Sequence, residues 1–143
     1  MSRDSVDATR VSVRSQDSKT MKLLNYLMTA CFLFSVIVQL NDPDPIRWIV
    51  IYGLAAMACV RAIRGRAAWR FPAAVGAVAL GWALWLASGV LGKVRFSELF
   101  EAFEMKDTRV EVGREFGGLL IVAAWMAVLA FHEAKERIRN KRK

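Results

Sequence analysis

Histidine and cysteine are almost missing from this chain, with one His and two Cys in 143 residues. A single imidazole, His132, excludes a two-histidine haem or a histidine-rich metal site built by this chain alone. Cys31 and Cys59 lack CxxC spacing, so they form neither a zinc signature nor a disulfide framework. The more informative absence is charge. Residues 23–40, 48–60, 71–92 and 116–131 contain no Asp, Glu, Lys, Arg or His, although charged residues make up 24% of the chain. A domain of this size has too little interior to hide four such runs, so a soluble globular enzyme is excluded.

What is present is 55% hydrophobic residues, concentrated in those runs. A spanning helix needs about 20 apolar residues to cross about 30 Å of hydrocarbon. Runs 23–40 and 71–92 meet that directly. The second extends to 46–63 if Arg47 and Arg61 snorkel at its ends, and the fourth to 113–132. None carries the polar stripe of a helix in a soluble bundle. The expected fold is all-α: a four-helix multi-pass transmembrane bundle. It divides into a basic N-terminal tail (1–21), a transmembrane domain (22–133) and a basic cytoplasmic tail (134–143). The first tail is polar, rich in Ser and Arg and without apolar period, which predicts disorder. Met21-Lys22-Leu23-Leu24 reads as the start of a signal-anchor helix. Gln39-Leu40-Asn41-Asp42 is not a small-residue cleavage site, so that helix should be retained.

Orientation follows from the basic residues in the flanks. The N-terminal tail, the second loop (Arg61, Arg64, Arg66, Arg70) and the C-terminal tail hold fifteen of the 21 basic residues, against five acids. The opposite face has six basic residues and eight acidic ones. Both termini are therefore expected in the cytoplasm, with the protein in the inner or plasma membrane if bacterial. Topology accounts for the net charge of +8, and no nucleic-acid partner is implied. The tails also lack the aromatic residues that a single-strand binder interleaves with its cations.

With both ends inside, the loop after helix 1 and the segment before helix 4 share the outer face. In the first, Asp44 suits an N-cap with Pro45 at the first helical position. Asn41 or Asp42 can close helix 1. Trp48 reads as an interfacial anchor, with Tyr52 one turn below. In the second, Glu111 and Glu115 are four apart on one side of the first turn of helix 4, beside Arg114, where acids also suit the helix dipole. The combined polar cluster is Asn41, Asp42, Asp44, Arg47, Glu111, Arg114 and Glu115. Asp42, Asp44, Glu111 and Glu115 offer the oxygen ligands that Ca²⁺ or Mg²⁺ takes. Alternatively, Arg47 and Arg114 pair with those acids and pin the two hairpins together, which is the favoured reading near a bilayer.

Between helix 3 and this cluster, Phe96, Leu99, Phe100 and Phe103 recur at helical spacing, with Glu98, Glu101 and Glu104 facing elsewhere. That pattern predicts an amphipathic interfacial helix over 95–105, either a lid, a partner contact or a resting place for a long loop. Inside the bilayer, Ala73, Ala77 and Gly81 read as a small-residue ridge on helix 3, and Gly113 with Gly117 repeats the spacing on helix 4. Trp82, Trp85 and Trp125 read as packing residues near mid-membrane. His132 reads as a helix-end residue interacting with the dipole.

Taken together, Asn41-Asp42-Pro43-Asp44, Trp48 and Tyr52, then Gly113-Arg114-Glu115-x-x-Gly118-Leu119 with Ile121 and Trp125, resemble the two signatures of the transmembrane protein 220 family. The order is the same, one signature after helix 1 and the other opening helix 4. The resemblance covers roughly residues 22–132. It implies a four-helix membrane protein and gives weight to Asp42, Asp44, Arg114 and Glu115. It carries no reaction, cofactor or catalytic residue.

Three functions compete on these residues. The favoured one is a non-catalytic accessory protein that lies in the lipid bilayer. It would bind a membrane-protein partner or an ion through the outer polar face or the amphipathic helix, without a cofactor. The alternative is a small intramembrane enzyme acting on a substrate at the lipid interface, with Glu111 or Glu115 as acid or base and Arg114 holding an anion. It lacks a nucleophile–base pair, since the lone His is expected on the opposite face. A transporter is disfavoured, because ion-coupled carriers place ionisable groups inside the spans and these four cores have none.

Overall fold

A computed structural model describes residues 3–41, 45–66, 68–90 and 108–141. Among them lie four α-helices and no strand: α1 (Arg3–Val38), α2 (Pro45–Ile63), α3 (Arg70–Val90) and α4 (Thr108–Lys141). A 3-10 turn, Gln39–Asn41, follows α1. Each helix contains a stretch long and apolar enough to cross a bilayer: Gln16–Val38, Pro45–Ile63, Arg70–Ala87 and Gly113–Lys141. The four-helix, all-α expectation therefore holds. The interfacial helix expected over 95–105 lies outside the described residues, as do Asp42 and Asp44.

Two helices run further than the hydropathy pattern suggests. α1 begins at Arg3, so the polar segment expected to lack regular structure is helical. No Gly or Pro interrupts it, and extending a formed helix avoids the cost of nucleating a new one. For the same reason α4 continues through the basic residues to Lys141.

The chain forms two compact units, residues 1–67 and 68–143. In the first, α1 packs against α2. The buried stripe of α2 runs Trp48, Tyr52, Ala55, Cys59, in steps of four, three and four, with Ile51 and Ala58 beside it. That is the spacing of a helix seam. Phe32 answers it from α1: its ring lies 6.4 Å from that of Tyr52, and Tyr52 lies 6.3 Å from Trp48. Both separations fall in the range where aromatic pairs attract beyond simple contact. Trp48 is thus 2% exposed and packed in the hairpin, not an anchor at the lipid surface as its position near a helix start suggests. The seam, not the membrane boundary, claims the indole.

α2 stops because Gly65 adopts φ +66°, a left-handed conformation that costs a side chain about 1–2 kcal/mol. The Arg66 N–H donates to the Arg61 carbonyl at 2.9 Å and the Gly65 N–H to that of Ala62 at 3.0 Å, which is the Schellman pairing.

In the second unit α3 packs against α4. The α4 seam runs Leu119, Val122, Met126, Leu129, and the α3 seam Pro72, Val75, Ala79 with Gly76 and Ala83 alongside. Pro72 is harmless there, since it sits in the first turn, where the N–H has no helical acceptor. The two helices approach closely at Gly76, where an added Cβ would lie 3.0 Å from the Met126 Cβ. The small residues that matter are therefore not those expected. Ala77 and Gly81 are exposed in this unit, and Gly81 and Gly117 have open space around them. At about 100° per residue, Ala77 is turned away from its seam neighbour Gly76, and Gly81 lies on the side of α3 opposite Pro72. Trp85 is 67% exposed, while Trp82 and Trp125 are half-buried.

The outer faces are apolar. Only 11% to 39% of each span is buried within the chain, and Phe34, Ile37, Val78, Leu84 and Phe131 are all exposed. In water these faces would exceed the patches a soluble monomer tolerates. In lipid they need no partner, because acyl chains are as apolar as the side chains.

Candidate functional site

The first signature turn is described from its two sides. The 3-10 turn ends at Asn41, of which only the backbone is described, and α2 opens on Pro45, as its fixed φ favours. Arg47 follows and is exposed, while its neighbour Trp48 points into the seam. Consecutive helical residues lie about 100° apart, so the same turn presents a cation outward and an indole inward. Tyr52, the next signature residue, is 7% exposed and stacks on Phe32. Trp48 and Tyr52 are therefore packing residues of the first seam.

The second signature divides the same way. α4 begins at Thr108, so the stretch from Arg109 onward is helical; of Glu111 only the backbone is described. Arg114 is exposed, Gly113, Glu115 and Gly118 are half-buried, and Leu119 is fully buried at the head of the α4 seam. Ile121 faces outward and Trp125 is half-buried. Arg114 thus stands at the end of the second hairpin as Arg47 stands at the end of the first. Among the described residues no three His, Cys, Asp or Glu side chains gather as a metal site requires. Four of the seven cluster residues, Asn41, Asp42, Asp44 and Glu111, have side chains outside that description.

Two polar residues inside the seams escape a reading based on charge alone. Asn25, in the first span, is 3% exposed. Its Nδ2 donates to the Met21 carbonyl at 2.9 Å, and Thr29 Oγ1 donates to the Asn25 carbonyl at 2.6 Å. Its Oδ1 is buried without a partner. A lone Asn inside an apolar run was the available signal. Glu133 is 9% exposed, and the alternating steps of three and four that begin at Leu119 land on it. Reading it as part of a tail hides that periodicity. His132, next to it, is half-buried.

Four apolar spans arranged as two packed hairpins, each with an exposed arginine in its signature segment, define a multi-pass helical membrane protein. Residues 31–131 match the family described as "Transmembrane family 220, helix", and the chain belongs to that family. Transmembrane protein 220 of Xenopus laevis is 31% identical over 111 residues, an alignment covering 73% of this chain and 55% of the relative. The chain thus spans about half the length of the curated relative it matches. No solved structure matches.

Proposed function

We propose that this is a non-catalytic membrane protein whose two signature turns form one polar cluster on the non-cytoplasmic side. The cluster pins the hairpins together and offers a docking face to a membrane-protein partner or an ion. The observation that carries this reading is the repeated division of labour. At the head of α2 the exposed Arg47 adjoins Trp48, which is buried in the seam, and near the head of α4 the exposed Arg114 precedes the buried Leu119 in the same signature. A chain that crosses a bilayer four times emerges on the same side after its first and third crossings, whichever side that is. Asp42 and Asp44 then face the boundary that Arg114 faces, and opposite charges near lipid are stabilised chiefly by pairing. The excess of basic residues in the other flanks assigns that boundary to the outside.

A charge-swap cycle tests the pinning. Arg114→Asp places a fifth acid among the four of the cluster and should lower the melting temperature in detergent by about 3 °C or more. Asp42→Arg alone should do the same. The double variant should recover at least half the loss, because residues in contact are coupled rather than additive. Asp44 is left intact because its expected capping of α2 would confound the result. Strict additivity of the two single effects would remove the shared cluster.

A further inference from the structure

We propose that the basic end of the second hairpin, built from Trp69, Arg70 and the last turns of α4, binds the phosphate headgroups of anionic phospholipids. Consecutive spans run in opposite directions, since backbone crosses hydrocarbon only as helix. With Gly76 seated on Met126, Arg70 at the start of α3 falls level with His132 on α4. From there α4 continues to Lys141, a further 13 Å or so at about 1.5 Å per residue. The polar layer on each side of the hydrocarbon is only about 5–7 Å deep. The overshoot therefore passes through the depth at which lipid phosphates lie.

Two features mark where that layer begins. Trp69 is half-buried, as suits an indole at the headgroup boundary. The Arg70 guanidinium sits over its ring at 5.7 Å, within cation–π range. Above this level the charges are sorted. Lys135, Arg137 and Lys141 are exposed. The two acids of the extension are withdrawn: Glu133 is buried in the seam, and Glu136 is paired with Arg139. A helix end with its cations exposed all round and its acids occupied attracts phosphate, and each Lys or Arg near a membrane surface strengthens that attraction. The extension lies past residue 131, where the family match ends, so this site is separate from the signature turns.

The test uses the purified full chain in detergent, with native mass spectrometry counting bound lipid from equal amounts of phosphatidylglycerol and phosphatidylcholine. Wild type should retain the anionic lipid in roughly tenfold preference, and raising salt from about 50 to 500 mM should erode that preference as screening shortens. The set Arg70→Gln, Lys135→Gln, Arg137→Gln, Lys141→Gln should bring the two lipids near parity. The charge-keeping pair Arg70→Lys and Arg137→Lys should not. Millimolar glycerol 3-phosphate should leave the retained lipid in place. Displacement by it at that concentration would assign the site to a soluble phosphate ester and overturn the lipid proposal. An undiminished preference in a glutamine variant that melts like wild type would overturn it as well. If that variant does not fold, the salt series decides, and a preference indifferent to salt refutes the proposal.

Discussion

Trp48→Ala should lower the stability of the protein by about 2–3 kcal/mol, a loss read as a reduced melting temperature in detergent or an earlier midpoint in denaturing-detergent titration. In water, truncating a buried Trp typically costs about 3–5 kcal/mol, part of it the lost transfer of apolar surface out of solvent. Here the medium around the hairpin is itself apolar, so the transfer part largely vanishes. What remains is dispersion: the contacts the indole makes with its neighbours and the cavity it leaves among them. Trp48 is 2% exposed and lies against Tyr52, which lies against Phe32. Its removal therefore opens the wide end of the first seam, beyond which the buried residues of α2 are the small Ala55, Ala56, Ala58 and Cys59. Trp48→Phe should keep more than half of the stability. A surface anchor would behave differently, because its truncation alters depth or tilt in the membrane and barely moves the melt. A change below about 0.5 kcal/mol, the usual size of a surface substitution, would mean the indole is not in the seam.

Gly76→Leu should be comparably damaging, at about 3 kcal/mol, and for the opposite reason. The position has too little room rather than too much side chain. A Cβ there would already lie 3.0 Å from the Met126 Cβ and 3.6 Å from the Ala123 carbonyl oxygen. Ala at this site requires Met126 to give by a few tenths of an ångström, whereas the further carbons of Leu meet the α4 backbone and force the helices apart. Overpacking of this kind typically costs about 1–3 kcal/mol and sometimes more. Without a hydrophobic drive between helices in lipid, close approach is most of what holds the pair. Gly81→Leu supplies the contrast, because nothing lies within 4 Å of its Cβ position. It should melt within about 0.5 kcal/mol of wild type. Equal effects at the two glycines would mean the seam has been assigned to the wrong face.

The spans were legible in the sequence because lipid imposes a crude and forceful rule. Each crossing needs a long stretch without charge, and the four stretches stand out against a chain that is 24% charged. The helix starts that proline controls were legible too: α2 opens at Pro45, one residue from the expected boundary. Which face of each helix packs was not legible. A lipid-facing side chain and a seam side chain are both apolar, so hydropathy carries no phase, and the ridge read at Ala73, Ala77 and Gly81 is displaced from the seam through Pro72, Gly76 and Ala79. Trp48 was misread on similar grounds, since an indole near a helix start fits a membrane boundary and a packed seam equally well. The packed role is decided by Phe32 and Tyr52, whose proximity depends on the register of two helices. The polar ends of α1 and α4 were missed as helix because composition describes the solvation of a segment better than its backbone. Of the candidate cluster, the sequence supplied the residue types, and the hairpins show Arg47 and Arg114 exposed at corresponding ends. The proposed pairing of acids with those arginines rests on four crossings of one bilayer.

Sidedness is accordingly the property to measure. Single cysteines at positions 47, 66 and 106, in a Cys31→Ser background that leaves the buried Cys59 in place, are exposed in intact cells or sealed vesicles to a membrane-impermeant maleimide. The expected result is labelling from outside at Arg47→Cys and Lys106→Cys, with Arg66→Cys labelled only after the membrane is opened. Labelling of positions 47 and 106 from opposite sides would contradict the four-crossing arrangement, and the proposed cluster would go with it.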